Sequence, residues 1–324
     1  MRKLFAIPIL FLAVIMYLSY IFLPVYINKK TIEIPYGTST LKLIDMLYEE
    51  GLLRSRLSFI IIHALVKSKL EAGEYEFDGY VSPFDVYEKI SKGIHKLHRV
   101  VVTEGSDIYD IARILEKEGV CSAKDFLKYA TSEDTAKSYG INSPTMEGFL
   151  FPDTYFFSKN THPLKVIDTM YRNFLEKTLK LRQKVVEEGK SIEEWVIIAS
   201  MIEKETFLDR EKPLISAVIH NRLKKRMRLQ IDPTVIYALK RNGKWKGRLT
   251  KDDLSIDDPY NTYIYFGLPP TPIANPGIES LKAALYPAKV KYLYFVVDRD
   301  RKRHLFSTTY AQHKRNVERL RRKR

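Results

Sequence analysis

The sequence predicts an α+β protein: an N-terminal transmembrane helix, a βααβ repeat region, and then a larger mixed α/β domain. Three observations carry this reading. An uncharged apolar run starts at the fourth residue. A strand–helix–helix–strand pattern occurs twice. A nearly all-apolar helix is followed by loops rich in Pro, Asn, Gly and Tyr.

No charged residue lies between Leu4 and Asn28. Taken as helix from Leu4 to Pro24, the run is about 31 Å long at 1.5 Å per residue, close to a hydrocarbon core of roughly 30 Å. Tyr17, Tyr20 and Tyr26 stand where an interfacial aromatic belt belongs. A cleaved secretory signal would end in small residues, whereas this run ends in Phe22-Leu23-Pro24-Val25-Tyr26. Residues 1–3 are therefore expected as a cytoplasmic end and residues 4–25 as an uncleaved span. Arg2 and Lys3 before the run nearly balance Lys29 and Lys30 after it. A long following domain translocates largely regardless of its charge, so the bulk of the chain is expected outside the cytoplasm.

The chain is 45% hydrophobic and 12% aromatic, enough for ordinary cores in the remaining two domains. The single cysteine, Cys121, excludes an internal disulfide. No Cys/His cluster has metal-ligand spacing, so neither a metal nor another cofactor is expected. The net charge of +15 is concentrated in Lys224 to Arg226, Arg299 to Arg303 and Arg319 to Arg324. It fits attraction to a polyanion and equally a solvated basic surface. Nucleic acid is not an expected partner, because neither an RNA-binding aromatic signature nor zinc-finger spacing occurs.

The repeat is visible as offsets. Ile34 to Thr38 corresponds to Val102 to Ser106, with Gly105 lying 68 residues after Gly37; the same offset relates Leu115 to Leu47 and Gly119 to Gly51. Gly51 and Gly119 stand where a left-handed C-cap is wanted, and second helices follow around Leu57–Lys67 and Ala123–Ala130. Gly73 to Phe77 alternates like a strand. Its counterpart, Asp153 to Phe157, is offset by 80 residues, so the second copy carries about twelve extra residues, among them Glu147 to Pro152. The expected organisation is a first βααβ unit over 26–98, a second over 99–145 continuous with the catalytic part, and that catalytic domain over 146–324, ending in a basic tail. The βααβ order resembles the LysM module, a small glycan-binding fold; a plain spacer fits the same pattern.

Chemistry is expected at the end of one helix. Ser191 and Glu194 predict a capping box, and Trp195 to Ile202 is apolar nearly all round, as in a buried helix. The helix ends in Glu203-Lys204-Glu205-Thr206. On a helical wheel Glu203 falls between Val196 and Ala199, so its carboxyl is expected among apolar groups, which raise a carboxyl pKa and suit a general acid for glycosidic cleavage. Glu205 points another way, between Ile198 and Met201, and the wheel does not choose between them. Asn221 to Leu223, Met227 to Tyr237, Asp258 to Tyr263 and Gly267 to Gly277 add loops whose Asn, Gln, Thr and Tyr side chains suit sugar hydroxyls and faces.

Five ordered segments carry a family resemblance: Glu147-Gly148-Phe149-Leu150-Phe151-Pro152-Asp153-Thr154-Tyr155, Ala199 to Thr206, Arg228 to Tyr237, Tyr260-Asn261-Thr262-Tyr263 and Asn275-Pro276-Gly277. With the anchor, and with Leu293 to Asp298, His304 to Ser307 and His313, they resemble the MltG/YceG-like endolytic murein transglycosylases of bacteria over essentially the whole chain. Ile231, where the family usually has Thr, and Arg299 to Arg303, which replace a Gly-rich turn, depart from the pattern. The resemblance implies cleavage of the β-1,4 MurNAc–GlcNAc bond inside glycan strands, leaving 1,6-anhydro ends. It assigns catalysis to Glu203 and implies substrate contacts at Glu147, Gln230, Asp232, Tyr237, Asn261, Thr262, Tyr263 and Asn275. It also implies a single-pass protein of the bacterial cell membrane, facing peptidoglycan and neighbouring the membrane-bound synthases. A muramidase cutting the same bond and a non-catalytic wall-binding scaffold are the competing expectations.

Overall fold

The computed structural model describes residues 2–298, 300 and 303–322, with side chains from residue 10 onward. Arg299, Arg301, Lys302, Lys323 and Arg324 of the predicted basic segments lie outside the described residues. The protein is mixed α+β, mostly helical, with three two-stranded sheets among the described residues. It divides into two compact units, residues 1–98 with 156–160, and residues 99–155 with 161–324.

The first unit contains α1 (Arg2–Phe22), β1 (Val25–Ile34), α2 (Thr40–Glu49), α3 (Arg56–Val66), β2 (Gly73–Val81) and α4 (Pro83–Ser91). The βααβ order with a further helix is as the repeat predicts. The expected apolar span to Val25 is corrected at its end: α1 stops at Phe22 and Val25 opens β1. Pro24 explains this, since it lacks an N–H and disfavours helical backbone in the residue before it. Among the described residues no helix is long and apolar enough to cross a membrane, and Leu4 to Ile9 of the expected span lie outside the residues with described side chains. β1 and β2 pair antiparallel, from Val25 opposite Val81 to Ile34 opposite Gly73. Their inner faces and the helices bury Ile32, Leu43, Leu47, Phe59, Tyr75 and Ile90. Gly51 adopts φ 74°, the left-handed cap its position required.

The chain after α4 repeats that order and extends it. β3 (Leu97–Val101) pairs with β4 (Thr154–Ser158), and between them run α5 (Ile108–Lys117), α6 (Ala123–Ala130) and the short α7 (Glu133–Ser138), the last being part of the insertion. Gly119 again takes a left-handed φ, 71°. Next come α8 (Pro163–Lys177), α9 (Leu179–Glu187), α10 (Ile192–Glu205), α11 (Lys212–Lys224), α12 (Asp232–Arg241) and α13 (Ile278–Leu285). A hairpin of β5 (Tyr294–Asp298) and β6 (Arg303–Ser307) and the helix α14 (Tyr310–Arg321) close the chain.

The central element is α10, in which every residue from Trp195 to Glu203 is buried. It packs against α11, α12 and α13, which is why it needs no polar face. Its start differs from the expected reciprocal box: Ser191 Oγ accepts from the Glu194 N–H, but Glu194 makes no return bond. Ser191 Oγ donates instead to Glu193, whose other oxygen accepts from the Asn142 N–H.

Candidate active site

The two glutamates that end α10 sit in opposite chemical settings. Glu203 is 5% exposed. Its Oε2 accepts from the Gly277 N–H at 2.9 Å, and its Oε1 lies 3.6 Å from Lys212 Nζ. Lys212, at the start of α11, is itself buried and also pairs with Asp209 at 3.0 Å. Burial opposes the charge on Lys212, yet the Glu203 and Asp209 carboxylates outweigh it and raise its pKa. The expected apolar surround of Glu203 is therefore corrected: an ammonium and a backbone donor meet the carboxylate. A wheel shows which face of a helix a residue is on, not what another helix brings to that face.

Glu104, from the turn after β3, joins this cluster. A Cβ placed on Gly277 would come within 1.9 Å of Glu104 Oε1, so the carboxyl lies directly on the glycine. Burial, then the Glu203 charge, raises the Glu104 pKa. In the sequence Glu104 stands out only as part of a repeat; the one available signal is its place beside a turn glycine. A cleft of about 560 Å³ opens next to it, between the Thr103–Ser106 turn, α5 and Lys204.

Glu205 is partly exposed and its carboxyl makes no hydrogen bond or ion pair among the described residues. Burial, reinforced by the Asp232 charge and opposed by Arg222, pushes its pKa up to about 8. At that value the carboxyl is mostly protonated at neutral pH.

The loops around Glu205 bring together three of the expected substrate residues, Gln230, Asp232 and Tyr263. Tyr263 Oη donates to Asp232 Oδ1. The Gln230 N–H donates to Thr262 O at 3.1 Å, and the Ile231 N–H to Thr262 Oγ1 at 3.0 Å, so the two loops are stitched edge to edge. Gln230 holds φ 49°, a left-handed conformation that costs a non-glycine residue about 1 kcal/mol or more, and its side chain is exposed. Ile231 is buried at the N-cap of α12 and supplies no cap, so the family departure there changes a helix start rather than an exposed contact. A hollow of about 480 Å³ lined by Leu223, Met227 and Phe266 lies at the base of these loops, with the Arg228 guanidinium 4.9 Å from the exposed Phe266 ring. Phe266 belongs to none of the sequence motifs; an aromatic beside Gly267 is its only signal there.

The other expected substrate contacts are buried and spend their polar atoms internally. Asn261 donates to Leu254 O and Ile256 O, and Thr262 bonds Thr234 at 2.9 Å. Asn275 Oδ1 accepts from the Gly148 and Leu150 N–H groups, while its Nδ2 donates to Ser106 O and Glu147 Oε1. Glu147 is fully buried, accepts from the Ile108 N–H, and is raised well above the ordinary carboxylate range by burial and then by the Asp107 charge. Tyr237 bonds Glu147 and is buried beside Tyr260. These residues hold the loops in place and offer no open face. Among the described residues no group of three or more His, Cys, Asp and Glu could hold a metal ion.

Gly148 supplies a direct test of this scaffold. It holds φ 88°, and a Cβ there would fall 2.5 Å from the Pro272 ring and 2.8 Å from Val196 Cγ1. Neither neighbour has a flexible end that can swing away. Gly148→Ala is expected to cost about 2–4 kcal/mol through backbone strain and overpacking, read as a lower urea midpoint with unchanged m. A shift under about 1 kcal/mol, the low end of an overpacking penalty, would refute the contact.

A family model described as YceG-like matches residues 32–319. The chain belongs to the YceG-like family. An endolytic murein transglycosylase of Bacillus subtilis is 33% identical over 84% of this chain and 81% of its own length. One from Streptococcus pneumoniae strain R6 is 28% identical over 91% of this chain; the chain spans only 59% of that longer relative. The crystal structure of a YceG-like protein from Listeria monocytogenes is 32% identical, covers 89% of this chain and 99% of its own, and superposes with a TM-score of 0.61. The YceG-like resemblance read from the five motifs is thereby shown.

Proposed function

We propose that this YceG-like chain is an endolytic lytic transglycosylase that cleaves the β-1,4 MurNAc–GlcNAc bond within peptidoglycan strands and leaves 1,6-anhydro-MurNAc ends. The observation that carries the reading is the Glu205 carboxyl: mostly protonated at neutral pH, unpaired among the described residues, and beside the hydrogen-bonded Asp232–Tyr263 pair, with Gln230 exposed on the same loop as Asp232. The resemblance names Glu203 for the acid role; we assign it instead to Glu205, whose carboxyl is unpaired among the described residues, whereas Glu203 is engaged by Lys212 and Gly277.

The chemistry needs one proton donor that can take its proton back. Glu205 protonates the leaving glycosidic oxygen as the C1–O bond breaks. Positive charge develops at C1, and the new carboxylate next to it is stabilising. The muramyl C6 hydroxyl then attacks C1 and returns its proton to Glu205. The products are an anhydro ring and a free GlcNAc hydroxyl, with no water consumed. The Phe266 hollow suits a pyranose face, and Gln230 and Asp232 suit its hydroxyls.

A hydrolytic muramidase is the second reading, favoured by one feature: Asp232 is a second carboxylate close enough to act electrostatically on Glu205, as a two-carboxylate hydrolase requires. Mass spectrometry of digested glycan strands separates them. Anhydro ends are expected; reducing MurNAc ends would mean the muramidase. A scaffold would leave the strands intact.

The anchor belongs to the same reading. α1 carries Leu10, Phe11, Met16 and Tyr17 exposed to the outside, which suits lipid. We place the chain as a single-pass protein of the cell membrane with the residues after α1 on the extracytoplasmic side, trimming strands near the membrane-bound synthases. Full replacement in cells by a version released from the membrane would overturn that placement.

A further inference from the structure

Within the first unit, the βααβ part is tied firmly to the end of α1. Ile21 is 1% exposed, and Phe22 and Val25 pack against the unit's core. Phe22 stacks on Phe84, from the first turn of α4, with ring centroids 5.3 Å apart. Arg54 donates to Leu23 O at 3.3 Å and Pro24 O at 3.0 Å, and its guanidinium lies 5.1 Å from the Tyr20 ring. Only Leu23 and Pro24 separate α1 from β1. The helix therefore enters the unit as a fixed post rather than through a linker.

That end of the unit carries large aromatic groups facing outward. Tyr26 and Tyr80 are register partners across β1 and β2, edge-on at 5.3 Å, and are 67% and 79% exposed. Phe84 is 57% and Leu23 52% exposed. Folding brings Tyr80 and Phe84, which lie far from the apolar run in sequence, to within a few strand residues of the helix exit. Exposed aromatics of this kind normally cover a binding surface. Tyr and Phe beside an Arg, at the point where an apolar helix ends, match the chemistry of the headgroup layer.

Resting on the reading of α1 as the anchor, we infer that Leu23, Tyr26, Tyr80 and Phe84 form a seat that sinks into the lipid headgroup layer. The occupant is the bilayer itself, since the seat continues the surface of the apolar helix without a break. The first unit is then a membrane-interfacial foot, and β1 carries the chain away from the bilayer toward Tyr36 at its far end.

The test uses the full chain in phosphatidylethanolamine/phosphatidylglycerol vesicles, with Cys121→Ser as background and single nitroxide labels at positions 12, 36, 80 and 84. All four positions are exposed, so folding tolerates the labels. The ratio of oxygen to nickel-chelate accessibility is expected to be highest at 12, lowest at 36, and several-fold above the value at 36 at both 80 and 84. Labels at 80 and 84 as open to nickel as 36, with 12 deep in lipid, would overturn the seat and leave the anchor standing. A label at 80 shielded from both reagents would put protein there instead and would also overturn it. An aqueous label at 12 would remove anchor and seat together.

Discussion

Glu205→Gln is expected to lower glycan-strand cleavage by about 100- to 10,000-fold, the usual contribution of a positioned general acid. The amide keeps the size of the side chain and loses only the proton. The same change is expected to stabilise the fold at alkaline pH. In the unfolded chain the glutamate titrates near 4.5, whereas in the fold burial and Asp232 hold it at about 8. The folded state thus binds more protons between those values, so the stability associated with this group is full below about pH 4.5 and is lost as pH rises through about 8. Glutamine has no proton to lose, and the variant should gain up to about 4–5 kcal/mol over wild type at about pH 9, with no gain at about pH 4. Activity of the wild type should fall above about pH 8 as Glu205 ionises. A purified Glu205→Gln protein that cleaves strands normally, or a Glu203→Gln protein that does not cleave while Glu205→Gln does, would return the acid role to Glu203.

Lys212→Met is expected to be the most destabilising single change at the end of α10. The ammonium is buried and faces Glu203 at 3.6 Å and Asp209 at 3.0 Å, with Glu104 acting on it as well. Breaking a buried pair by removing one partner costs about 3–5 kcal/mol, because the remaining charge has no compensation. Two carboxylates, Glu203 and Glu104, would be left facing each other. In a unit of this size the loss corresponds to a fall in Tm of about 10 °C. Glu203→Gln should cost less, about 1–2 kcal/mol, since its amide oxygen still accepts from Gly277 and Lys212 keeps Asp209. Its cleavage rate should stay within about tenfold of wild type, the mark of a structural ion pair outside the proton transfer. A Lys212→Met protein as stable as wild type would show that this cluster holds nothing together.

These expectations rest on contacts that periodicity does not encode. The turn glycines Gly51 and Gly119, the two βααβ patterns and the buried α10 were legible because each depends on neighbours within a few residues: a left-handed φ, an alternation, an apolar wheel. The family was legible for a related reason, since five ordered motifs survive as strings. The roles of their residues were not. Asn275, Glu147, Tyr237, Asn261 and Thr262 are polar residues in or beside loops, and a sequence offers no way to tell a group that faces solvent from one that ties two backbones together.

The sequence by itself determined the α+β order, the length and apolarity of the first helix, the repeat, and the placing of two glutamates at the end of a core helix. Tertiary structure alone decided which glutamate is held by a lysine and which keeps its proton. Lys212 and Gly277 reach Glu203 from α11 and from the turn before α13, while Asp232 and Arg222 bracket Glu205 from elsewhere. The physical reason is that a carboxyl pKa depends on solvation and on charges a few ångströms away. Those charges come from residues distant in the chain: Glu203 and Glu104 act on one another across 99 positions. Folding likewise placed Tyr80 and Phe84 beside the exit of α1, turning the end of an apolar run into a surface.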